Sequence, residues 1–406
     1  MMLEVEDLPA RVIACPDCGE VQELPELHGT GKSECWRCRC VLERASGRSL
    51  DAALACSLTT LLLLFPGNTL TLFRVSAAGL IRESRLGSGI PVIWSQGWPL
   101  LAVAIAIQGV LLPFFRFGLL TAALGAIRLH KTYAWIGPAF RWAERLDPWA
   151  MPDVFLFGCA IGYSRIAPFV PIEIDAGGWC FIGAAFMSMM TRASLDRQAI
   201  WKRIAAPEQA QGEAICCLDC LMILSAARQG EACPRCGARL WRRKSFSLPR
   251  SLALVMAGYL LYPVANIYPM TVDYQLGMPQ EHRIIDGVRE LIQAHLWPLA
   301  VVIFTASIAI PLLKLAGLTW FFISVYRGSS KALVTKTKLY RIIDAIGRWS
   351  NIDVFTIAAF APLMQVGQLL NVVVFPGAPA FLTVVVVSMF AAQAFDPRLI
   401  WDAARA

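Results

Sequence analysis

The chain has 406 residues, of which 57% are hydrophobic and only 16% are charged. This composition excludes an ordinary soluble globular protein, in which about 25% of residues are charged. The net charge of +8 fits basic loops that face anionic lipid head groups. A nucleic-acid-binding function is therefore not expected.

Eight cysteines form the first motif, as four CxxC pairs in two sets. One set precedes the first apolar block and the other precedes the later blocks, and their members are Cys15, Cys18, Cys35, Cys38, Cys217, Cys220, Cys233 and Cys236. This spacing is typical of a zinc ribbon, in which two tight turns aim four thiolates at one tetrahedral ion. The sequence predicts two structural Zn²⁺ ions, one per ribbon, with iron as the alternative metal.

A thiol redox motif is the competing interpretation of the cysteine pairs. A thioredoxin-type motif predicts one pair near a βαβ pattern, whereas this chain has two pairs per module and no visible βαβ pattern. Reduced thiols in the cytosol favour metal binding. A membrane-bound redox enzyme or sensor remains the alternative function.

Apolar residues gather into blocks of about 20, long enough to cross roughly 30 Å of hydrocarbon. Eight membrane spans are predicted near 50–70, 97–122, 148–170, 178–194, 250–270, 295–323, 350–370 and 378–395. The first 50 residues are polar, so no signal peptide is expected and the first span would act as its own insertion signal. The expected fold class is membrane all-α.

The placement of basic residues predicts the topology. With both termini in the cytoplasm, the cytoplasmic segments contain 29 of the 37 Lys and Arg residues. The loops on the opposite side contain five of them. This positive-inside asymmetry predicts a multi-pass inner-membrane protein with cytoplasmic N- and C-termini.

The two halves of the chain repeat each other with an offset of about 200 residues. Trp98-Pro99-Leu100 corresponds to Trp297-Pro298-Leu299, and Asp153-Val154-Phe155 corresponds to Asp353-Val354-Phe355. Four spans per half give parallel repeats about an axis along the membrane normal. The predicted domains are a first ribbon at 1–49, a first four-helix repeat at 50–200, a second ribbon at 201–247 and a second four-helix repeat at 248–406.

Several polar residues fall within or beside the predicted spans. Asp153 and Asp353 are functional candidates, because an unpaired ionisable group in a membrane costs several kcal/mol. Helix N-capping is an equally good interpretation of both. For Arg116 and Lys314 the favoured interpretation is that they extend to the cytoplasmic interface.

Several common catalytic motifs are absent from the sequence. It contains no GxxxxGK[ST], GxSxG or HExxH motif, and no GxGxxG in a βαβ context. The four-thiolate sites leave no open coordination position for a substrate. The sequence therefore predicts a protein that is not an enzyme.

Two CxxC…CxxC ribbons, each ahead of four spans, resemble the paraquat-inducible protein A family. The most specific matching motif is the ending Phe395-Asp396-Pro397-Arg398-Leu399-Ile400-Trp401-Asp402, supported by Ser350…Asp353-Val354-Phe355. Within the family, the chain is similar to tandem inner-membrane members that work beside MCE-domain proteins. The resemblance implies a role in moving phospholipid between the inner and outer membranes, with a periplasmic MCE-domain partner as the conduit.

The resemblance also implies a polar relay in the membrane. Its candidate residues here are Ser350, Asp353 and Ser388, followed by Arg165 and Asp153. The chain departs from the expected pattern at Arg165, where the family would have a lysine. A scaffold that only anchors the MCE partner, through loops 71–95 and 271–294, is a third possible function.

Overall fold

The fold was analysed in a computed structural model of the chain. The structure describes residues 12–24, 31–45, 49–77, 80–167, 171–205, 214–275, 278–360, 362–363 and 370–405. Within these residues the helical repeats of the two halves share the same order of long helices and strands. The first ribbon has four strands and the second has two, and each repeat has a small sheet at the far end of its helices.

The first half begins with a ribbon and continues into a helical repeat. The ribbon strands are β1 (Val12–Ala14), β2 (Val21–Glu23), β3 (Gly31–Glu34) and β4 (Val41–Ala45). The repeat contains α1 (Leu50–Thr69), β5 (Phe73–Ala77), β6 (Leu80–Ser84), α2 (Gly89–Ser95), α3 (Pro99–Ile105), α4 (Leu112–Arg128), α5 (Ile136–Leu146), α6 (Pro152–Ile166), β7 (Ile172–Ile174), α7 (Ala176–Ser194) and α8 (Arg197–Ile204).

The second half follows the same plan. Its ribbon strands are β8 (Ala214–Cys216) and β9 (Ile223–Ser225). Its repeat contains α9 (Ser247–Ile267), β10 (Thr271–Gln275), β11 (Met278–His282), α10 (Ile284–Gln293), α11 (Trp297–Ile303), α12 (Ile310–Tyr326), α13 (Leu333–Ile346), α14 (Ile352–Phe360), β12 (Leu370–Val374), α15 (Gly377–Ala394) and α16 (Arg398–Ala403).

A π-helical segment joins α3 to α4, and another joins α11 to α12. The segments are Ala106–Leu111 and Phe304–Ala309, and each is followed by a proline, Pro113 or Pro311. Proline has no N–H and its ring crowds the carbonyl four residues earlier. The helix therefore accommodates one wider turn and continues, which gives two uninterrupted helices, Pro99–Arg128 and Trp297–Tyr326, of 30 residues each.

A three-stranded antiparallel sheet lies at one end of each repeat. The strand orders are β6-β5-β7 and β11-β10-β12, so the strand before the last long helix returns to the hairpin that follows the first helix. Residues 71–95 and 271–294, expected as loops between spans, contain these hairpins and the short helices α2 and α10. We call this end of the molecule the sheet side, and the opposite end, where the cysteine clusters lie, the ribbon side.

Five described helices are long and apolar enough to cross a membrane. They are Leu50–Thr69, Pro99–Arg128, Ser247–Ile267, Trp297–Tyr326 and Gly377–Ala394. The chain is thus a membrane protein, but the predicted count of eight spans is not confirmed. In the predicted third span the described helix α6 has 15 residues, about 22 Å. Of the predicted seventh span, residues 361 and 364–369 lie outside the described part of the chain.

Helices α6 and α14 pack against each other at the centre of the molecule. The rings of Phe155 and Phe355, from the two matched Asp-Val-Phe motifs, lie 5.0 Å apart. Thr356 donates a hydrogen bond to the carbonyl of Gly158. Apolar residues of the predicted third and seventh spans therefore contact one another where the two repeats meet.

Two matched glycines lie at the start of the last long helix of each repeat. They allow that helix to approach the backbone of the segment that follows the first helix of the same repeat. A Cβ atom on Gly377 would lie 2.5 Å from the carbonyl oxygens of Tyr268 and Pro269. A Cβ atom on Gly177 would lie 2.6 Å from those of Leu70 and Thr71. Backbone oxygens cannot move aside as a flexible side chain does, so a methyl group must displace the helix.

We expect Gly377→Ala and Gly177→Ala each to lower the free energy of unfolding by about 1–3 kcal/mol, because overpacking forces the backbone apart. Thermal unfolding of the purified protein in detergent measures the effect. Gly118→Ala is the matched control, because no atom lies within 4 Å of a Cβ at that helical position. Equal stability of all three variants would contradict the close approach.

Candidate functional site: two cysteine clusters and a buried polar junction

The eight predicted metal-ligating cysteines come together as two buried groups of four. In the first group Cys15 Sγ lies 3.4 Å from Cys38 Sγ, and Cys18 Sγ lies 3.6 Å from Cys35 Sγ. All four sulfur atoms lie within 4.8 Å of one another. The group could hold one metal ion.

The second group has the same geometry. Cys217 Sγ lies 3.5 Å from Cys236 Sγ, and Cys220 Sγ lies 3.6 Å from Cys233 Sγ. A tetrahedral zinc site with Zn–S bonds of about 2.3 Å places its sulfur atoms about 3.8 Å apart. The sulfur spacing in both groups fits such an ion.

The backbone turns explain why each CxxC pair converges. The first cysteine of every pair accepts a hydrogen bond from the N–H four residues later, as Gly19 N–H does with the Cys15 carbonyl. That later residue is left-handed in all four turns, namely Gly19, Arg39, Leu221 and Gly237, with φ between 57° and 72°. Only two of the four are glycines, so Arg39 and Leu221 adopt a backbone conformation that side chains disfavour.

Each ribbon docks on the opposite repeat. Arg341 on α13 donates to Asp17 Oδ2 at 2.6 Å and to the Cys38 carbonyl at 2.9 Å, both in the first ribbon. Arg145 on α5 forms two hydrogen bonds of 2.8 Å with Asp219 in the second ribbon. Asp17 and Asp219 hold the same place in their CxxC pairs, so the crosswise docking follows the repeat.

The two ribbons also contact each other. Ala14 on β1 packs on Ile223 of β9 in a small buried cluster. The sequence left open whether the ribbons touch. Together with the crosswise ion pairs, this contact joins both ribbons and both repeats into one ribbon-side layer.

Asp153, a candidate of the polar relay, forms a buried ion pair. Its Oδ2 lies 2.6 Å from Arg192 Nη1 of α7, and only 2% of its side chain is exposed. Arg192 also contacts Asp147 through Nε at 2.8 Å and donates to the Ala150 carbonyl. The N-cap residue of α6 is Met151 and no side chain caps this end of the helix, so Asp153 acts through the ion pair and not as a helix cap.

Arg116 completes this ion network. It lies on α4 with 1% of its side chain exposed, and its Nη2 is 2.5 Å from Asp147 Oδ1. Arg116 was expected to extend to the membrane interface, but it is buried in the protein. Burial alone would raise the pKa of Asp147, yet Arg116 and Arg192 outweigh it and hold that pKa below its ordinary value.

The counterpart of Arg116 in the second half, Lys314, is buried as well, with 2% exposure. Its Nζ donates to Ser388 Oγ at 3.3 Å, and Ser388 in turn donates to the Val385 carbonyl. Ser188 stands at the matched position in the first half, and its hydroxyl has no hydrogen-bond partner among the described residues. The two serines therefore differ in their surroundings, since only Ser388 contacts a buried cation.

Three relay candidates remain. Two of them, Ser350 and Asp353, lie nearby in the second half, and the third is Arg165. Ser350 is 2% exposed and precedes α14, and Asp353 is half-buried in the first turn of that helix. Arg165 occupies the last turn of α6, and its side chain lies outside the described part of the chain. The relay role of these residues stays a prediction.

Two buried amides at the junction escaped the sequence analysis. Asn351 Nδ2 donates to Gln108 Oε1 at 3.2 Å, across 243 residues of chain. Gln108 lies in the π-helical segment of the first half. The sequence does contain a signal that could have identified these two residues, and Arg192 and Asp147 as well. Each is a polar residue in an apolar context, and the equivalent residue of the other repeat is not polar or differs in charge.

Comparisons with known proteins place the whole chain in one family. The family model described as Paraquat-inducible protein A matches twice, over residues 50–205 and 248–405. The chain is 30% identical over 408 residues to the intermembrane transport protein PqiA of Escherichia coli strain K12, which covers 97% of this chain and 96% of that protein.

Two further relatives differ in name or organism. The lipophilic envelope-spanning tunnel protein A of the same strain is 27% identical over 400 residues, covering 96% of this chain and 91% of that protein. A probable intermembrane transport protein of Haemophilus influenzae is 24% identical over 412 residues, covering 97% and 96%. No solved structure matches the chain. Since the family model matches both repeats and nearly the whole chain aligns, the protein belongs to the paraquat-inducible protein A family.

Proposed function

We propose that this protein is the membrane subunit of an intermembrane lipid transport system and not an enzyme. It would load or unload phospholipid between the inner membrane and a periplasmic MCE-domain partner, for trafficking to or from the outer membrane. The names of its relatives, intermembrane transport protein and lipophilic envelope-spanning tunnel protein, support this class of function. The positive-inside pattern of the sequence supports cytoplasmic termini, with the ribbon side in the cytoplasm and the sheet side in the periplasm.

The observation that carries the proposal is the buried polar junction between the repeats. Gln108 of the first repeat contacts Asn351 of the second there, and the ion pair of Arg192 with Asp153 lies within the first repeat beside it. Polar groups inside a membrane protein are costly, and they typically mark substrate or ion pathways. In this proposal Asp353 couples lipid movement to a driving force.

The first experiment is a pull-down of the tagged full chain from native membranes, followed by mass spectrometry of bound protein and lipid. We expect an MCE-domain protein together with phospholipid. Recovery of neither, under conditions that recover the intact chain, would contradict the proposed transport system.

Ser388→Ala tests the junction with small chemical change. We expect phospholipid transfer between vesicles that contain the protein and its captured partner to be about tenfold slower. The reason is that Lys314 loses its hydrogen-bond acceptor, and a lost hydrogen bond to a buried cation costs about 1.5–3 kcal/mol.

Ser188→Ala is the matched control, because the hydroxyl of Ser188 has no partner among the described residues. Its transfer rate should equal that of the unchanged protein. Equal rates for both alanine variants, at equal amounts of folded protein, would exclude the Lys314–Ser388 contact from transport.

We infer that both cysteine groups bind Zn²⁺ as structural ions. The purified chain should contain two equivalents of zinc by elemental analysis, and Cys38→Ser should reduce this to one. Cys40→Ser should retain two, because its sulfur lies outside the group of four and donates to the Val41 carbonyl. Because metal binding supplies folding energy to small ribbons, removal of zinc by a chelator should increase proteolysis of the ribbons.

The same preparation tests the redox alternative. A thiol redox enzyme would contain reactive cysteines and no stoichiometric metal, so thiol titration would label the ligand cysteines rapidly. Two zinc ions and slow labelling would rule that alternative out.

A further inference from the structure

A cavity of about 240 Å³ lies on the ribbon side, where the two repeats meet. Five of its lining side chains are cationic and two are acidic. The cations are Arg116, Arg192, Arg197, Lys314 and Arg348, and the acids are Asp147 and Asp344. The lining is therefore strongly cationic, and two of its cations, Arg116 and Lys314, are almost fully buried, where unbalanced charge is costly.

The first-half acid is already occupied by arginines. Asp147 lies 2.5 Å from Arg116 and 2.8 Å from Arg192, and Arg197 approaches its second oxygen at 3.8 Å. One carboxylate thus serves three guanidinium groups. Glu144 and Asp153 lie behind this set and pair with Arg197 and Arg192, so neither is available to the cations contributed by the second half.

Several N–H donors of the lining remain unused. Nε and Nη1 of Arg116 are buried and have no hydrogen-bond partner among the described residues, and neither has Nε of Arg348. Lys314 contacts Ser388, and no acid lies within ion-pair distance of its ammonium in the described part of the chain. Asp344, the second acid, is exposed on α13, where solvent screens its charge and weakens it as a counter-charge.

This arrangement fits an anion that has several acceptor oxygens. Guanidinium groups bind phosphate through two parallel hydrogen bonds, and such charge-assisted bonds are among the strongest in proteins. The cavity is smaller than the 300–1,000 Å³ or so that encloses a drug-sized ligand. It therefore has room for a phosphate and its nearest atoms but not for a whole lipid.

We propose that this cavity binds the headgroup phosphate of a membrane phospholipid, held between Arg116 of the first repeat and Lys314 and Arg348 of the second. The inference rests on the proposed transport function and names the part of the lipid that the chain recognises. A free phosphate ion shares this chemistry, so the experiment must separate the two sources.

The experiment measures retention of fluorescent phosphatidylglycerol and fluorescent diacylglycerol by the full chain in detergent micelles. The two lipids differ in the phosphate-bearing headgroup. We expect phosphatidylglycerol to bind more tightly than diacylglycerol. Arg348→Gln and Lys314→Gln should each reduce the affinity for phosphatidylglycerol about tenfold, because the loss of one hydrogen bond to a charged group changes a dissociation constant by about that factor. Arg116→Gln should show the same loss if it elutes as a folded monodisperse protein.

Arg128→Gln is the matched control on the same helix as Arg116. Arg128 pairs with Asp51 at an exposed position outside the cavity, so its replacement should leave binding unchanged. Inorganic phosphate, added as a competitor, should displace the lipid only at concentrations far above the dissociation constant of the lipid.

Three results would overturn the proposal. Diacylglycerol could bind as well as phosphatidylglycerol, or both Arg348→Gln and Lys314→Gln could bind like the unchanged protein. Inorganic phosphate could also compete at the affinity of the lipid, which would assign the cavity to a free anion. Recovery of an MCE-domain protein and transfer of lipid would be unaffected by any of these, so the proposed function is tested separately.

Discussion

The pairing of buried charge is the constraint on which the ribbon-side structure depends. Asp147 follows α5, whereas Arg116 lies on α4 and Arg192 on α7, so one carboxylate links three helices. Breaking a buried ion pair by removing one partner costs about 3–5 kcal/mol. The first repeat therefore presents a fixed surface at the junction, against which the second repeat packs.

The second repeat solves the same problem differently. The counterpart of Asp147 is Gly347, where a Cβ atom would lie 2.5 Å from Lys314 Nζ. The ammonium group of Lys314 thus fills the space that a carboxylate side chain would need. The counterpart of Arg192 is Ala392, which contributes no charge. Duplication has therefore left one repeat with an ion network around Asp147 and the other with a cation held by the hydroxyl of Ser388.

The sequence predicted features that depend on local pattern and missed those that depend on distant contacts. The CxxC spacing was sufficient to group Cys15 with Cys38, because each turn is closed by backbone bonds within four residues. The sheet-side strands were missed because β7 has only three residues, too few to show alternation, and pairs with β5 about 100 residues away. The sequence alone could not establish the number of spans, because residues of α14 that pack on α6 are as apolar as residues that face lipid.

The crosswise docking of the ribbons explains how metal sites can matter to a junction that they do not touch. Arg341 and Asp344 lie three residues apart on α13, and residues with this spacing are neighbours on a helix surface. Arg341 binds the first ribbon, and Asp344 lines the cavity between the repeats. On the other side, Arg145 binds the second ribbon two residues before Asp147. Because metal binding supplies much of the folding energy of such a ribbon, an ion bound by each cysteine group would stabilise the helix that positions one acid of the cavity in the opposite repeat.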